Sequence, residues 1–473
     1  MPTTPLPDDP DLDQLRRQAK ELRRAEGIPL ARAQLRIARR HGFVSWPRLK
    51  AHLDLVRAHR WVPETVAAGA DPAAVFLTLA CLTYTRDDGP RRWAGARELL
   101  AAHPELPGTS ANVAAATANS ALLRHFLAVD PSLARAPGGP YGWPPLAYLA
   151  YARHDRDVPE REVTESARLL LAAGADADFG ALWHGLPTPF TLLTGVFGGG
   201  ELGPVRQPHH PHAQALARVL LTAGAEPNDG QALYNRMFEP GNEHLVLLFE
   251  FGLGRGEGGV WHARLGDRLD SPARMVRGQL RWAVSHGLAD RVALLVEHGV
   301  DIQAPFGDGR TPAQLAALRG NANVVACLAE HGATVELDPV DEFIAAALLA
   351  DPVVRSASPR IPAAARRRSP ALVVRAAALG RADSVALLVE LGFDVNAAGR
   401  QDAAGDQEWE TPLHVAVAEG NGELVRLLLS LGADPDRADA RFHATPLGWA
   451  RHFDRPDLVE LLEPLTRPEP DAP

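Results

Sequence analysis

A leucine-rich segment that ends in glycine recurs along this chain of 473 residues and limits its fold more than any other feature. Its apolar residues are spaced at i, i+3 and i+4, which is the period of an amphipathic helix. The copies read LLLAAGADAD (169–178), VLLTAGAEPN (219–228), ALLVEHGVDI (293–302), ALLVELGFDV (386–395) and LLLSLGADPD (427–436). Glycine can close a helix in the left-handed conformation without a Cβ penalty. We therefore predict helix C-caps at Gly174, Gly224, Gly299, Gly392 and Gly432.

A second, shorter helix is predicted upstream of several copies. It starts with Thr-Pro or a close relative, at Thr188-Pro189, Thr311-Pro312, Ser369-Pro370, Thr411-Pro412 and Thr445-Pro446. A Thr or Ser side chain can cap a helix, and Pro suits the first turn because its missing N–H needs no partner there. Thr411 and Thr445 lie 34 residues apart, and Gly278, which occupies the corresponding position one repeat earlier, lies 33 residues before Thr311.

This pattern resembles the ankyrin repeat, which has a period of about 33 residues and a Thr-Pro-Leu-His-x-Ala signature. The best copy is Thr411-Pro412-Leu413-His414-Val415-Ala416, and the copy from Thr311 keeps Ala316, Gly320 and Gly332. The resemblance implies an all-α solenoid of about ten helix-turn-helix repeats with a concave surface and projecting loops, called fingers. It also implies that His414 hydrogen-bonds the backbone of the neighbouring repeat.

The chain divides into five predicted regions. These are a disordered tail (1–10), a basic three-helix module (11–60), degenerate repeats with insertions (61–277), regular repeats (278–465) and a tail (466–473). Residues 198–212 and 253–277 are among the inserted segments, which we expect to be solvated, as we do the Ala-Arg-Arg-Arg-Ser-Pro run that ends at Pro370. Apolar residues of the module predict three helices, the third starting at Ser45.

The composition bears on the cellular compartment and the source genome of the protein. The two cysteines, Cys81 and Cys327, match no disulfide framework or metal motif. The acidic, proline-rich start does not resemble a signal peptide, and the apolar runs are far shorter than the roughly 20 residues that a membrane span needs. Lysine is nearly absent beside abundant arginine, alanine, glycine and proline, which favours a GC-rich bacterial genome. We expect a cytoplasmic monomer.

No catalytic, cofactor-binding or metal-binding residues are predicted. The Gly254–Gly259 stretch has the spacing GxGxxG, but a nucleotide site needs a strand before it and an apolar helix after it. His209, His210 and His212 stand in a proline-broken run without adjacent Cys or carboxylate ligands, so a solvated insertion is favoured over a metal site. Both cysteines lie on apolar helical stretches and are interpreted as small hydrophobic residues.

The predicted partner-binding residues are large side chains in the loops before the capped helices. Aromatic residues and arginine supply most binding hot spots. The candidates are Trp183, Phe306, Trp409, Arg441 and Phe442. For Phe306 and Trp409 the alternative, that the ring folds back onto its own loop, stays open, and for Trp143 that alternative is favoured.

Three functions are compatible with these features. The first is a non-enzymatic scaffold for a protein partner of basic or mixed charge, since residues 61–473 carry a net charge of about −15 within a total of −9. The second is an adaptor whose basic module binds nucleic acid through a face containing Arg16, Arg17, Arg23, Arg24, Arg32, Arg36, Arg39 and Arg40, although the acidic repeats could also neutralise that face. The third, an enzyme, has no recognisable motif.

Overall fold

The computed structural model describes residues 4, 6, 11–66, 69, 71–399 and 409–467. The chain forms two compact units, Met1–Gln279 (unit 1) and Leu280–Pro473 (unit 2). The predicted helical solenoid is confirmed, with one small sheet in addition. The predicted tail at 1–10 lies outside the described residues except for Thr4 and Leu6, as does the tail at 466–473 beyond residue 467. No described helix combines the length and the apolar character needed to span a membrane.

Unit 1 begins with the three predicted helices α1 (Leu12–Glu26), α2 (Leu30–Arg40) and α3 (Trp46–His59). The side chain of Asp11 caps α1, and that of Ser45 caps α3 as the sequence predicts. The apolar faces of the helices close on one another around Leu15, Ala19, Ile37, Leu49 and Leu53.

Helix pairs make up the rest of unit 1. The helices are α4 (Pro72–Ala80), α5 (Pro90–Ala102), α6 (Ala111–Ala116), α7 (Ser120–Val129), α8 (Pro145–Tyr151), α9 (Glu160–Ala172), α10 (Leu192–Phe197), α11 (Gly203–Arg206), α12 (Ala213–Thr222), α13 (Gly230–Met237), α14 (Glu243–Glu250) and α15 (Gly259–Leu265). The helices α4, α6, α8, α10 and α13 stack in one row, and α7, α9, α12 and α14 stack in a second row. This arrangement is expected of repeats that bury their apolar faces against their neighbours.

A three-stranded sheet in unit 1 was not predicted. Strand β1 (Arg60–Trp61) pairs in parallel with β2 (Gly180–Trp183), and β2 pairs antiparallel with β3 (Pro189–Thr191). The helix start predicted at Thr188-Pro189 is wrong, because Pro189 belongs to β3. The helix α10 begins three residues later, where the Thr191 hydroxyl accepts from the backbone of Leu193 and Thr194.

Unit 2 continues the pairs with greater regularity. Helix α16 (Pro272–Ser285) crosses the unit boundary and contains Gly278, so that glycine starts no helix. The helices that follow are α17 (Ala289–Glu297), α18 (Pro312–Leu318), α19 (Ala322–Glu330), α20 (Pro339–Leu348), α21 (Arg360–Arg368), α22 (Leu372–Ala378), α23 (Ala382–Glu390), α24 (Pro412–Ala418), α25 (Gly422–Ser430), α26 (Pro446–His452) and α27 (Pro456–Leu462). The helices α18, α20, α22, α24 and α26 stack in one row.

The predicted caps are largely confirmed. Thr311, Thr411 and Thr445 accept from the backbone of their helices, and all five predicted C-cap glycines have positive φ, with Gly432 at +93°. The Ser369-Pro370 start is wrong, because Ser369 ends α21 and α22 begins at Leu372 without a side-chain cap. The arginine run before it is helical rather than a solvated loop, since Ala365 is buried and Arg366 donates to Leu391 O at 2.6 Å.

The insertions are packed, which corrects the expectation that they are solvated. In 198–212, Gln207 and His210 are buried, and in 253–277, helix α15 buries Trp261 and Leu265 against Val56 and Leu182. The Trp261 indole donates to Asp178 O at 3.0 Å. The GxGxxG stretch therefore leads into a packed helix, and the element directly before it is helix α14 rather than a strand.

Candidate functional site

Two neighbouring fingers of unit 2 are joined by a backbone hydrogen bond. Gly399 and Glu410 form an antiparallel bridge at the base of the first finger. Ala440 N in the second finger donates to Trp409 O at 2.8 Å. Residues 400–408 lie outside the described residues.

The buried carboxylate of Asp439 organises the second finger. Its Oδ1 accepts from Arg441 N at 2.8 Å and from Phe442 N at 2.6 Å, while Oδ2 accepts from Ala444 N at 3.1 Å and from the Trp449 indole at 3.0 Å. Burial alone would raise the pKa of Asp439, but these hydrogen bonds outweigh it, so the pKa is lowered. The loop is therefore held in one conformation by an ionised side chain at neutral pH.

Three of the five predicted contact residues meet at the tip of the second finger. The Arg441 guanidinium lies 4.8 Å from the Trp409 ring centroid and 5.1 Å from that of Phe442, and the two rings are 6.3 Å apart. Phe442 is 61% exposed, and Trp409 is half-buried. We call Trp409, Arg441 and Phe442 the finger cluster. Its members combine cation–π contacts with the exposed ring of Phe442.

The other two predicted residues lie elsewhere. Phe306 does not project from its loop as predicted: it is 8% exposed, and the Arg281 guanidinium lies 5.4 Å from its ring centroid. The Phe306 ring is therefore buried beside α16 and does not project, and its contact with a partner stays a prediction. Trp183 is half-buried on β2, where its indole donates to Thr83 O at 3.1 Å, and its contact with a partner stays a prediction.

Sequence reasoning missed a groove of about 790 Å³ in unit 1. Trp183 and Phe190 line it together with Leu186, Leu202 and Tyr234, which are exposed by 50%, 39% and 40%. The packed insertion supplies Leu202, and α13 supplies Tyr234. These residues are far apart in sequence, so no local motif predicts the groove. The high aromatic content of unit 1 is the one sequence feature that could have indicated such a surface.

The histidine run is packed against the helices rather than solvated as predicted. His210 is 2% exposed, His212 Nε2 hydrogen-bonds Val158 O at 2.6 Å, and Arg153 Nε donates to Pro208 O at 2.8 Å. Burial and the neighbouring Arg153 charge lower the pKa of His210. The described residues contain no group of three potential ligands. Burial also raises the pKa of the Cys81 thiol to about 12, which leaves it unreactive.

His414 links two successive repeats. Its Nδ1 lies 2.8 Å from the Thr411 hydroxyl, and its Nε2 lies 3.0 Å from Ala444 O, which can only accept. Burial lowers the pKa of His414, so a neutral ring with its proton on Nε2 fits both contacts. The family model for ankyrin repeats matches residues 280–398, 343–439 and 373–467. Residues 280–467 of this chain therefore consist of ankyrin repeats. Within the ankyrin repeats, His414 makes the contact that the resemblance implies.

One curated relative of this chain is an L-asparaginase from Dirofilaria immitis. The two chains are 32% identical over 195 residues, which is 40% of this chain and 32% of the asparaginase. The match thus spans about a third of that relative's length.

Proposed function

We propose that this ankyrin-repeat protein is a non-enzymatic scaffold that binds a protein partner through the finger cluster. We further propose that it acts as a cytoplasmic monomer. The observation that carries the proposal is the finger cluster itself, where an arginine lies against two aromatic rings at the tip of a loop anchored by Asp439.

The cluster has the composition and rigidity of a binding hot spot. Aromatic residues and arginine dominate hot spots because they bury a large area when a partner excludes water from them. A loop that is already ordered loses little conformational entropy on binding, and Asp439 provides that order. The net charge of about −15 in residues 61–473 supports a partner of basic or mixed charge.

A matched pair of variants tests this proposal. Phe442 is 61% exposed in the finger, and Val353 is 60% exposed in the short helical turn after α20. We expect Phe442→Ser to weaken partner binding by about 30-fold or more, as a hot spot of about 2 kcal/mol does. Val353→Ser should leave it within about twofold. Partners are captured from the native lysate with each variant of the full chain and measured by quantitative mass spectrometry. Equal recovery with both variants would count against the finger cluster.

The alternative enzymatic function has its own assay. The partial similarity to an L-asparaginase suggests L-asparagine as the substrate to test. We expect the purified chain to release ammonia from L-asparagine no faster than buffer does. A rate that is proportional to protein concentration would contradict the non-enzymatic proposal.

A further inference from the structure

The basic residues of the N-terminal module lie on its surface. All thirteen lysine and arginine residues between positions 15 and 60 are exposed, and the same stretch contains three acidic residues. The apolar faces of α1, α2 and α3 are buried in the module core. The solvent-facing side of the module is therefore strongly positive.

Few of these charges are neutralised within the module. Arg16 pairs with Asp13 at 2.7 Å, Arg17 approaches Asp11 at 3.9 Å, and Arg36 pairs with Glu26. Within the described part of the chain, six further residues of α1 and α2 form no ion pair: Lys20, Arg23, Arg24, Arg32, Arg39 and Arg40. We call these six residues the basic surface.

The described residues of unit 1 after position 60 form no ion pair with the basic surface either. Where residues after 60 approach the module near α2, they bring another cation: the Arg268 guanidinium lies 4.2 Å from the Phe43 ring centroid and donates to His41 O at 3.1 Å. The alternative that the acidic repeats neutralise this face is therefore not supported by any ion pair among the described residues of unit 1.

We propose that the basic surface binds the phosphate backbone of double-stranded nucleic acid, without sequence specificity. Duplex DNA carries one negative charge per roughly 1.7 Å of its axis, so it offers many phosphates to a surface with charges on two helices. Five of the six residues are arginines, whose planar guanidinium groups match phosphate geometry. This activity goes beyond partner binding by the fingers and does not depend on it.

Anionic lipid is the competing ligand, and the structure argues against it. Helices that bind a membrane surface insert an exposed apolar face. Among the described residues of the module, Val44, 75% exposed, is the one large apolar side chain that stands open. The module therefore offers charge with almost no apolar surface, which favours a ligand that is bound through phosphates alone.

The test is a salt titration of the full chain with a fluorescent 24-base-pair duplex of mixed sequence. If about four phosphates are contacted, the affinity should fall on the order of 100-fold between 50 and 200 mM KCl. Arg39→Gln with Arg40→Gln should weaken binding at 50 mM by about tenfold and make the salt dependence shallower. Both side chains are exposed and form no ion pair with any residue that the structure describes, so the thermal midpoint should not change.

A control pair removes the same charge elsewhere. Arg367 and Arg426 are exposed on α21 and α25, so Arg367→Gln with Arg426→Gln should leave DNA affinity within about twofold. Absence of DNA binding at 50 mM KCl would overturn the proposal, as would an equal loss in the control pair. Binding to phosphatidylserine vesicles without binding to DNA would assign the surface to lipid instead.

Discussion

The two units use the same helix pairs but hold them together differently. Unit 2 relies on local caps such as the Thr411 hydroxyl and the left-handed Gly432, which recur at the repeat period. Unit 1 has left-handed glycine caps as well, but its insertions are also held by buried polar side chains that join distant segments. Arg153 is 3% exposed and donates to the carbonyls of Pro208, Ala150, Ala152 and Gly195. Insertions are tolerated in unit 1 because such anchors fasten them to the helices.

Asp229 illustrates the same principle between two helices, α10 and α13. Its buried carboxylate accepts from the hydroxyls of Thr191 and Thr194 and also caps α13 through Ala232 N at 2.9 Å. Burial nevertheless raises its pKa. A repeat unit that departs from its period can thus remain ordered when a few buried polar groups replace the regular caps.

The largest expected effect is on the Arg153 anchor. Arg153→Met removes a charged donor from four carbonyls and should destabilise unit 1 by about 3 kcal/mol or more. Hydrogen exchange followed by mass spectrometry should show faster exchange in 196–212, with unit 2 peptides unchanged. The exposed neighbour Arg156 provides the control, since Arg156→Met should stay within about 0.5 kcal/mol. Unchanged exchange in 196–212 would show that the insertion does not need this anchor.

A smaller effect concerns acid sensitivity in unit 1. Burial lowers the pKa of His154 from 6.5 to about 4. The unfolded chain therefore takes up the proton first, so the stability present above pH 6.5 is lost as the pH falls towards 4. The change is on the order of 2 kcal/mol between pH 7 and 4.5. In urea titrations, unit 1 of the His154→Phe variant should lose about 2 kcal/mol less stability between pH 7 and 4.5 than the unmodified protein does. An identical loss in both proteins would contradict the assigned pKa.

The smallest effect tests a feature that both units share. Gly432 and Gly224 end helices at φ values of +93° and +100°, with open space beside them. Substitution by Val should destabilise each unit by about 1–2 kcal/mol through backbone strain alone. Gly422→Ala in α25 is the control, because Gly422 has no positive φ and only ordinary contacts near it. A clearly larger effect at one of the two caps would show that the two units do not use this cap alike.

Local features of the fold could be predicted from the sequence, and distant contacts could not. The Thr411 cap and the Gly432 C-cap depend on residues within one helical turn, so the local sequence pattern was sufficient to predict both caps. The bonds from Trp183 to Thr83 and from Arg153 to Pro208 join residues 100 and 55 positions apart, which no local pattern reveals. Phe306 and Phe442 stand in similar loops, but Arg281 packs against the first ring and Asp439 holds the loop of the second. Exposure is therefore decided by neighbouring side chains.

Site-specific photo-crosslinking tests most directly that the finger cluster binds the partner. Benzoylphenylalanine is introduced at Phe442 in one version of the full chain and at Val353 in another, and both are irradiated in native lysate. We predict that the Phe442 position yields discrete protein adducts, which disappear when Arg441→Ala is added, and that the Val353 position yields none of them. Identical adducts from both positions, or adducts from Val353 alone, would contradict the finger cluster as the binding site.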